Sequence, residues 1–316
     1  LSMLNLQLIE TQDVTDQVRL LEFRNFSGDA LPAYSAGAHV DFELDAIGAR
    51  AYSLIDWALE ERHPRTYQIA VQREDDGAGG SKAMHQLEIG SILQASHPKN
   101  DFELIKDGSE VLLLAGGIGV TPLISMATQL AFEERAFRFH YSARTERRMA
   151  FKDRLDAVFA PQMSFHFDDK TPLDLSDLMQ NQPAGSAIYI CGPKAMIEAA
   201  RAAAEAAGHS SQNIHVELFS TPQDSSEDTP FEVEIHSTGE VFTIPIGQSI
   251  IDVLSAEGKD ILYDCQRGDC GICQTDVISG VPDHRDVVLS EADRQAGKVM
   301  QICVSRAKSA RLVLDL

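Results

Sequence analysis

The sequence predicts a multidomain chain: an antiparallel β-barrel, a parallel-sheet α/β domain, and an α+β domain around a cysteine loop. Three observations carry this. Short alternating apolar runs separated by turn signals fill residues 1–105. Apolar strands alternate with helices over 106–222. Past the polar, proline-flanked "TPQDSSEDTP", three cysteines crowd into "CQRGDCGIC". A length of 316 residues suits two or three hydrophobic cores rather than one. The expected boundaries are 1–105, 106–222, a linker at 223–229, and 230–316.

In the first block "VRLLEFRNF", "HVDFEL", "RAYSLID" and "RTYQIAVQRE" read as strands. Period two puts Arg50 and Tyr52 on one face, with Ser53 next in line. An arginine can hold a phosphate and an aromatic ring can cover a planar cofactor. "GAGGSKAMH" sets Gly79, Gly80 and Ser81 at a helix start, an anion site. Each stretch also reads as an ordinary strand or turn.

In the second block "EVLLLAG", "AFRFHYSA", "MSFHFDD" and "SAIYICG" are strands. "TPLISMATQLAFEE", "FKDRLDAVFA", "SDLMQNQ" and "PKAMIEAARAAAEAAG" are helices. "LLLAGGIGVTPL" puts Gly116, Gly117 and Gly119 at a strand-to-helix turn, with Thr121 as N-cap and Pro122 first in the helix. Such a helix start favours pyrophosphate. The dinucleotide fingerprint G-x-G-x-x-G is not matched, and tight packing is the plain alternative. Cys191, Gly192 and Pro193 repeat the design beyond another strand end, where ligands of such sheets sit. Cys191 also reads as a small buried apolar residue. In "HYSARTERRMAF", Ser142, Arg144, Arg147 and Arg148 are candidates for ribose or phosphate, or for a solvated helix start.

In the third block "FEVEIHS" and "EVFTIPIG" form a hairpin around "STGE", and "SIIDVLSAEG" is a helix. Cys265, Cys270 and Cys273 have four and then two residues between them, and Cys303 follows later. This is the spacing of plant-type [2Fe–2S] sites. A loop wraps a flat cluster, and Gly268 and Gly271 let backbone N–H groups approach the sulfurs. A zinc site would favour two C-x₂-C pairs, and only one is present. The net charge of −21 argues against nucleic acid and anionic membranes and suits a partner with a basic patch. No apolar run approaches the roughly 18 residues of a membrane span, and the N-terminus does not read as a signal peptide. The expected location is cytoplasmic, where clustered thiols bind metal rather than form disulfides.

"RAYSL", "GGS", "PKNDF", "LLLAGGIGVTPL", "YICGPKAM", "HVELF" and the four cysteines occur in one order. With these motifs the whole chain resembles the phthalate dioxygenase reductase family, grouped with vanillate demethylase reductases. The closing "SRAKSARLVLDL" is similar to reductases of carnitine-type and phenoxybenzoate-type oxygenases. The resemblance implies an FMN-binding barrel, an NADH-binding ferredoxin-reductase-like domain, and a C-terminal β-grasp ferredoxin domain. It implies hydride transfer from NADH to FMN. Single electrons then pass through a [2Fe–2S] cluster to a terminal Rieske-type oxygenase acting on a small aromatic acid or similar substrate.

By residue match Arg50, Tyr52 and Ser53 contact FMN, with Ser53 near N5, and Gly79, Gly80 and Ser81 hold its phosphate. Gly116, Gly117, Thr121, Pro122, Ser142 and Arg144 belong to the NADH site. Cys191, Gly192 and Pro193 lie near the nicotinamide, and Phe219 packs by the flavin. Ser53, Cys191 and Phe219 thus flank the reacting atoms, and Cys265, Cys270, Cys273 and Cys303 ligate iron. The family commonly has an arginine where this chain has Ala78, and Lys82 or Arg73 would have to compensate. Arg267, Asp269 and "DHRD" at 283–286 are candidates for steering a partner, against simple solvation. A monomer is expected. The alternatives are a promiscuous reductase serving an acceptor such as a cytochrome P450, and a non-enzymatic redox sensor or zinc protein.

Overall fold

Alternating burial along the first strands builds an antiparallel sheet in the computed structural model, which describes residues 3–58, 64–219 and 227–316. The strands are β1 (Leu4–Asp13), β2 (Val18–Asn25), β3 (His39–Glu43), β4 (Ala49–Ser53), β5 (Thr66–Gln72) and β6 (Ile92–Ala95). Their order is β4-β3-β6-β1-β2-β5. Just past β4, Ile55 bridges Gln68 of β5 and brings the two edges of the sheet towards each other. Inside, Leu6, Leu8, Leu21, Phe23, Val40 and Phe42 are fully buried, each contributing about 1.5–3 kcal/mol of burial. Helix α1 (Gly80–His85) lies against β5, with His85 Nε2 2.8 Å from the Val71 carbonyl. Strands β1 and β6 were not among the expected ones. The alternation Leu4, Leu6, Leu8 was present for β1, whereas β6 has only four residues.

The second sheet contains β7 (Val111–Gly116), β8 (Phe137–Ala143), β9 (Met163–Phe167), β10 (Ala187–Cys191) and β11 (Ile214–Glu217). Helices α2 (Val120–Phe132), α3 (Lys152–Phe159), α4 (Leu175–Gln180) and α5 (Lys194–Ala206) connect them. The order is β11-β10-β7-β8-β9, and β7 pairs in parallel with both β8 and β10. The chain leaves β7 on one side and returns to β10 on the other, so the topological switch lies between these two strands. Ser125 on α2 donates to the Leu54 carbonyl and accepts from the Asp56 N–H, both at 2.8 Å. Thr128 donates to the Asp56 carbonyl at 2.8 Å. Barrel and parallel sheet accordingly share one compact unit, Leu1–His215, and Val216–Leu316 forms a second.

The second unit has β12 (Phe231–Ile235), β13 (Val241–Ile244), α6 (Ile250–Ala256), β14 (Gln274–Ser279) and β15 (Pro282–Asp283). It continues with α7 (Glu291–Ala296), β16 (Val299–Gln301), β17 (Arg306–Ala307) and β18 (Arg311–Leu314). Its mixed sheet runs β13-β12-β18-β14-β16, with the first and last strands of the unit, β12 and β18, parallel at the centre. The β12–β13 hairpin forms as expected around 236–240. Ser249 and Asp252 form a capping box on α6. Of the expected linker, 223–226 lie outside the described residues. Asp228 is buried and bonded to Arg285, Nη1 to Oδ2 3.0 Å. Among the described residues no helix is long and apolar enough to cross a membrane.

Candidate functional site

Register on β4 pairs Tyr52 with Val40 and Arg50 with Phe42, so both side chains lie on the core-facing side. The Tyr52 ring meets Phe42 edge-on, centroids 6.1 Å apart. Burial pushes its phenol up to about 12, so it stays uncharged at neutral pH. Arg50 crosses the glycine turn that opens α1: a Cβ on Gly80 would lie 2.9 Å from Arg50 Cγ. Gly79 precedes it in the left-handed region at φ +92°. Ser81 Oγ accepts the Glu74 N–H at 3.0 Å and keeps its own proton to donate. Lys82 and Arg73, the expected substitutes for the cation missing at Ala78, both bond to Asp75: Lys82 Nζ donates to its carbonyl at 2.5 Å, and Arg73 Nε to its carboxylate at 3.1 Å. Arg50 also lies beside the glycine turn, its Nη1 donating to the Ala49 carbonyl at 2.7 Å. An arginine, a neutral ring and a glycine-opened helix start fit a phosphate joined to a flat ring system. Ser53, 5% exposed, ends the strand.

After β7 the chain makes a 3₁₀ turn, Gly117–Gly119, before α2 starts at Val120. Thr121 is therefore inside the helix rather than its N-cap, and its hydroxyl donates to the Ile118 carbonyl at 3.1 Å. Pro122 follows within the first turn, where a missing N–H leaves no bond unmade. This turn interlocks with the one after β10. A Cβ on Gly119 would lie 2.2 Å from the Cys191 carbonyl oxygen, and one on Gly116 2.4 Å from Met196 Sδ and 2.8 Å from Pro193 Cδ. A Cβ on Gly192 would be 3.0 Å from Gly116 Cα. Packing and anion binding are compatible here, because glycines that let two turns touch also bare their backbones at the switch point. Cys191 is fully buried. Ser142 is half-buried at the end of β8, and Arg144, Arg147 and Arg148 are exposed just beyond it. An open groove of about 530 Å³ lies there, lined by Thr145, Glu146, Arg147, Asp169 and Lys170.

In the second unit Cys265 and Cys270 are half-buried, and Cys273 and Cys303 are buried. Cys265 is within hydrogen-bond reach of Cys270 and of Cys303, and Cys273 of Cys303. Hydrogen bonds from Cys270 and Cys303 hold the Cys265 thiol far down, and the same contacts push those two thiols far up. The Arg267 N–H points at Cys265 Sγ, 3.3 Å away. The Ile272 N–H serves Cys270, and the Cys303 N–H serves Cys273. Among the described residues no group of three or more His, Cys, Asp or Glu side chains is arranged around a single metal ion. The sulfurs instead follow one another in a row, 270, 265, 303 and 273. Four thiols in a row with N–H donors fit a two-iron cluster.

The wall behind the loop overturns two expectations. Gly268 has φ +81°, and a Cβ there would lie 2.6 Å from Val304 Cγ2 and 3.0 Å from Asp286 Cα. Asp286, from the "DHRD" segment expected at the surface, is fully buried. It accepts the Leu289 N–H at 2.8 Å, and the Val287 N–H donates to the Gly268 carbonyl at 2.9 Å. Arg267 and Asp269 are likewise neither solvated nor free to steer a partner. Arg267 Nε lies 3.3 Å from Asp269 Oδ2, which also accepts the Leu218 N–H at 2.8 Å. Glu217, 3% exposed, adds a carboxylate 4.0 Å from Arg267. Burial pushes the Asp269 carboxyl up to about 7 against the pull of Arg267. The segment 217–218 covers both residues, which their own loop sequence does not reveal. Gln301 was also missed: it is fully buried, its Oε1 3.5 Å from Cys273 Sγ. Phe219, next along the chain, is 42% exposed.

Residues 233–308 match the 2Fe-2S iron-sulfur cluster binding domain, and 113–202 the oxidoreductase NAD-binding domain. The chain is 40% identical over 309 residues to the vanillate O-demethylase oxidoreductase of Pseudomonas sp. (strain HR199 / DSM 7063), which covers 96% of each protein. Its fold is similar to that of phthalate dioxygenase reductase, described as modular for electron transfer from pyridine nucleotides to [2Fe-2S]. The TM-score is 0.71 at 34% identity, over 100% of this chain and 98% of that one. Full-length CYP116B46 from Tepidiphilus thermophilus gives a TM-score of 0.78 at 31% identity, over 99% of this chain. The chain spans only 42% of that protein's length.

Proposed function

The chain belongs to the family of vanillate demethylase and phthalate dioxygenase reductases, and on that premise we propose that it carries electrons from NADH to a terminal Rieske-type oxygenase. Bound FMN would supply the link between a two-electron hydride donor and a one-electron [2Fe–2S] acceptor. The protein's work is to hold and orient these groups. Arg50 and the turn at Gly79–Gly80 hold the phosphate of FMN, with the Ser81 hydroxyl donating. Tyr52 lays an uncharged ring beside the flavin. The interlocked turns at Gly116–Gly119 and Cys191–Pro193 offer backbone N–H groups to the dinucleotide, and Ser142 and Arg144 face its ribose and phosphate. Ser53, Cys191 and Phe219 are assigned to the reacting centre by their motifs. The four clustered thiolates would hold the irons.

The observation that carries this reading is the clustering of four thiols, backed by N–H donors, in the same chain as two interlocked glycine turns. The reading includes a cytoplasmic location, where thiols stay reduced, and a monomer. The partner's substrate class is a small aromatic acid or similar compound. The test is reduction of purified Rieske-type oxygenases by the holoprotein and NADH, with NADPH compared. Reduction with NADH preferred supports the reading, and no reduction of any oxygenase rejects it. The similarity to a self-sufficient P450 favours a second reading, a P450 as acceptor. A P450 reduced faster than every oxygenase would select it.

A further inference from the structure

We infer that the oxygenase docks on the face beside Cys273, through an apolar centre of Leu262, Tyr263 and Ile272 ringed by carboxylates. This rests on the reading above and names the contact surface that the reading requires. Leu262 is 77% exposed, and Tyr263 and Ile272 are each 39% exposed. Single exposed apolar side chains are ordinary, but three beside a redox loop need a partner. A groove of about 320 Å³ runs between Leu262, Ile272, Asp276 and Asp315, and Cys273 itself lines it. A protein seated there lies against a cluster thiolate, which offers a way out for an electron.

The charge around the groove says what kind of surface fits. Asp260, Asp264, Asp276 and Asp315 are exposed. Of the cations near the groove, Lys298, exposed and opposite Val277, stands against these four carboxylates, and three others are committed elsewhere. Arg267 is turned inward to Asp269, Lys259 Nζ is 2.6 Å from Glu240, and Arg311 is 2.6 Å from Glu232 and 2.9 Å from Glu234. The rim thus keeps its negative charge, in a chain of net charge −21. The complementary surface is an apolar patch bordered by lysine and arginine, carried by the oxygenase. Rim charges steer the encounter, and the apolar centre holds the complex.

The test uses the full-length holoprotein with Leu262→Ser and, separately, the triple change Asp264→Asn, Asp276→Asn and Asp315→Asn. The acceptor is a Rieske-type oxygenase that the wild-type chain reduces. Both variants should bleach flavin and cluster with NADH at the wild-type rate and reduce ferricyanide normally. KM for the oxygenase should rise about tenfold, and the triple variant should lose most of its salt dependence. Unchanged KM in both variants, with the cluster intact, overturns the docking face and leaves the proposed function standing. A wild-type chain that passes no electrons from NADH to its cluster overturns the function first.

Discussion

Cys303 reaches the cysteine loop from just beyond β16, and its thiol lies against both Cys265 and Cys273. Replacing it with serine should strip iron and sulfide from the protein. NADH–ferricyanide activity should stay near wild type while delivery to an oxygenase falls to background. Retained delivery in Cys303→Ser would exclude this residue as a ligand. The four cysteines were legible because ligand spacing is a local property of the chain. Arg267 and Asp269 were not, because their burial is imposed by residues far away in sequence. Arg267→Ala leaves the Asp269 carboxylate buried beside Glu217 without its cation. Unfolding of the cysteine-bearing unit should lose about 3 kcal/mol, partly restored by adding Asp269→Asn. A calorimetric change under about 0.5 kcal/mol would mean that the pair is not buried in solution.

At the scale of elements, alternating apolar residues located most strands of the barrel, and continuous apolar runs located β7 and β10, which are buried on both faces. The start of α2 was misplaced by the 3₁₀ turn at Gly117–Gly119, which no residue preference announces. Gly119→Ala should drive the two turns apart, since its Cβ would meet the Cys191 carbonyl. KM for NADH should rise severalfold while cluster content is unchanged, and an unaltered KM would show that the turns do not shape the dinucleotide site. On β8 and β9, His140 Nδ1 lies 3.0 Å from His166 Nε2, with the rings stacked at 5.2 Å. Burial, with the neighbouring ring and Arg138, lowers His140 to about 4, and burial lowers His166. The folded state holds both rings neutral, while unfolded histidines take protons near 6.5. The pair's contribution is therefore full above pH 6.5 and is lost as pH falls towards about 4. The melting temperature of the flavin–nucleotide unit should drop between pH 7 and pH 5, and less so in His140→Gln. Equal slopes in both proteins would contradict this.

At the scale of the whole molecule, the order of blocks followed from changes in residue pattern along the chain. What the pattern did not tell is that barrel and parallel sheet share one unit. The bonds responsible, Ser125 to Leu54 and Thr128 to Asp56, join positions 71 and 72 residues apart. The first unit thus contains both β4 and α2, which carry residues proposed for flavin and dinucleotide, with the cysteine-bearing unit compact by itself. The NAD-binding and 2Fe-2S domains needed to turn a hydride into single electrons lie in this one chain. Anaerobic addition of NADH to the purified holoprotein, followed by absorbance and low-temperature EPR, tests this most directly. Flavin and iron–sulfur bands should bleach with no second protein present, and one reduced [2Fe–2S] signal per chain should appear. A flavin that bleaches beside a silent cluster, or a preparation without iron and sulfide, would contradict it.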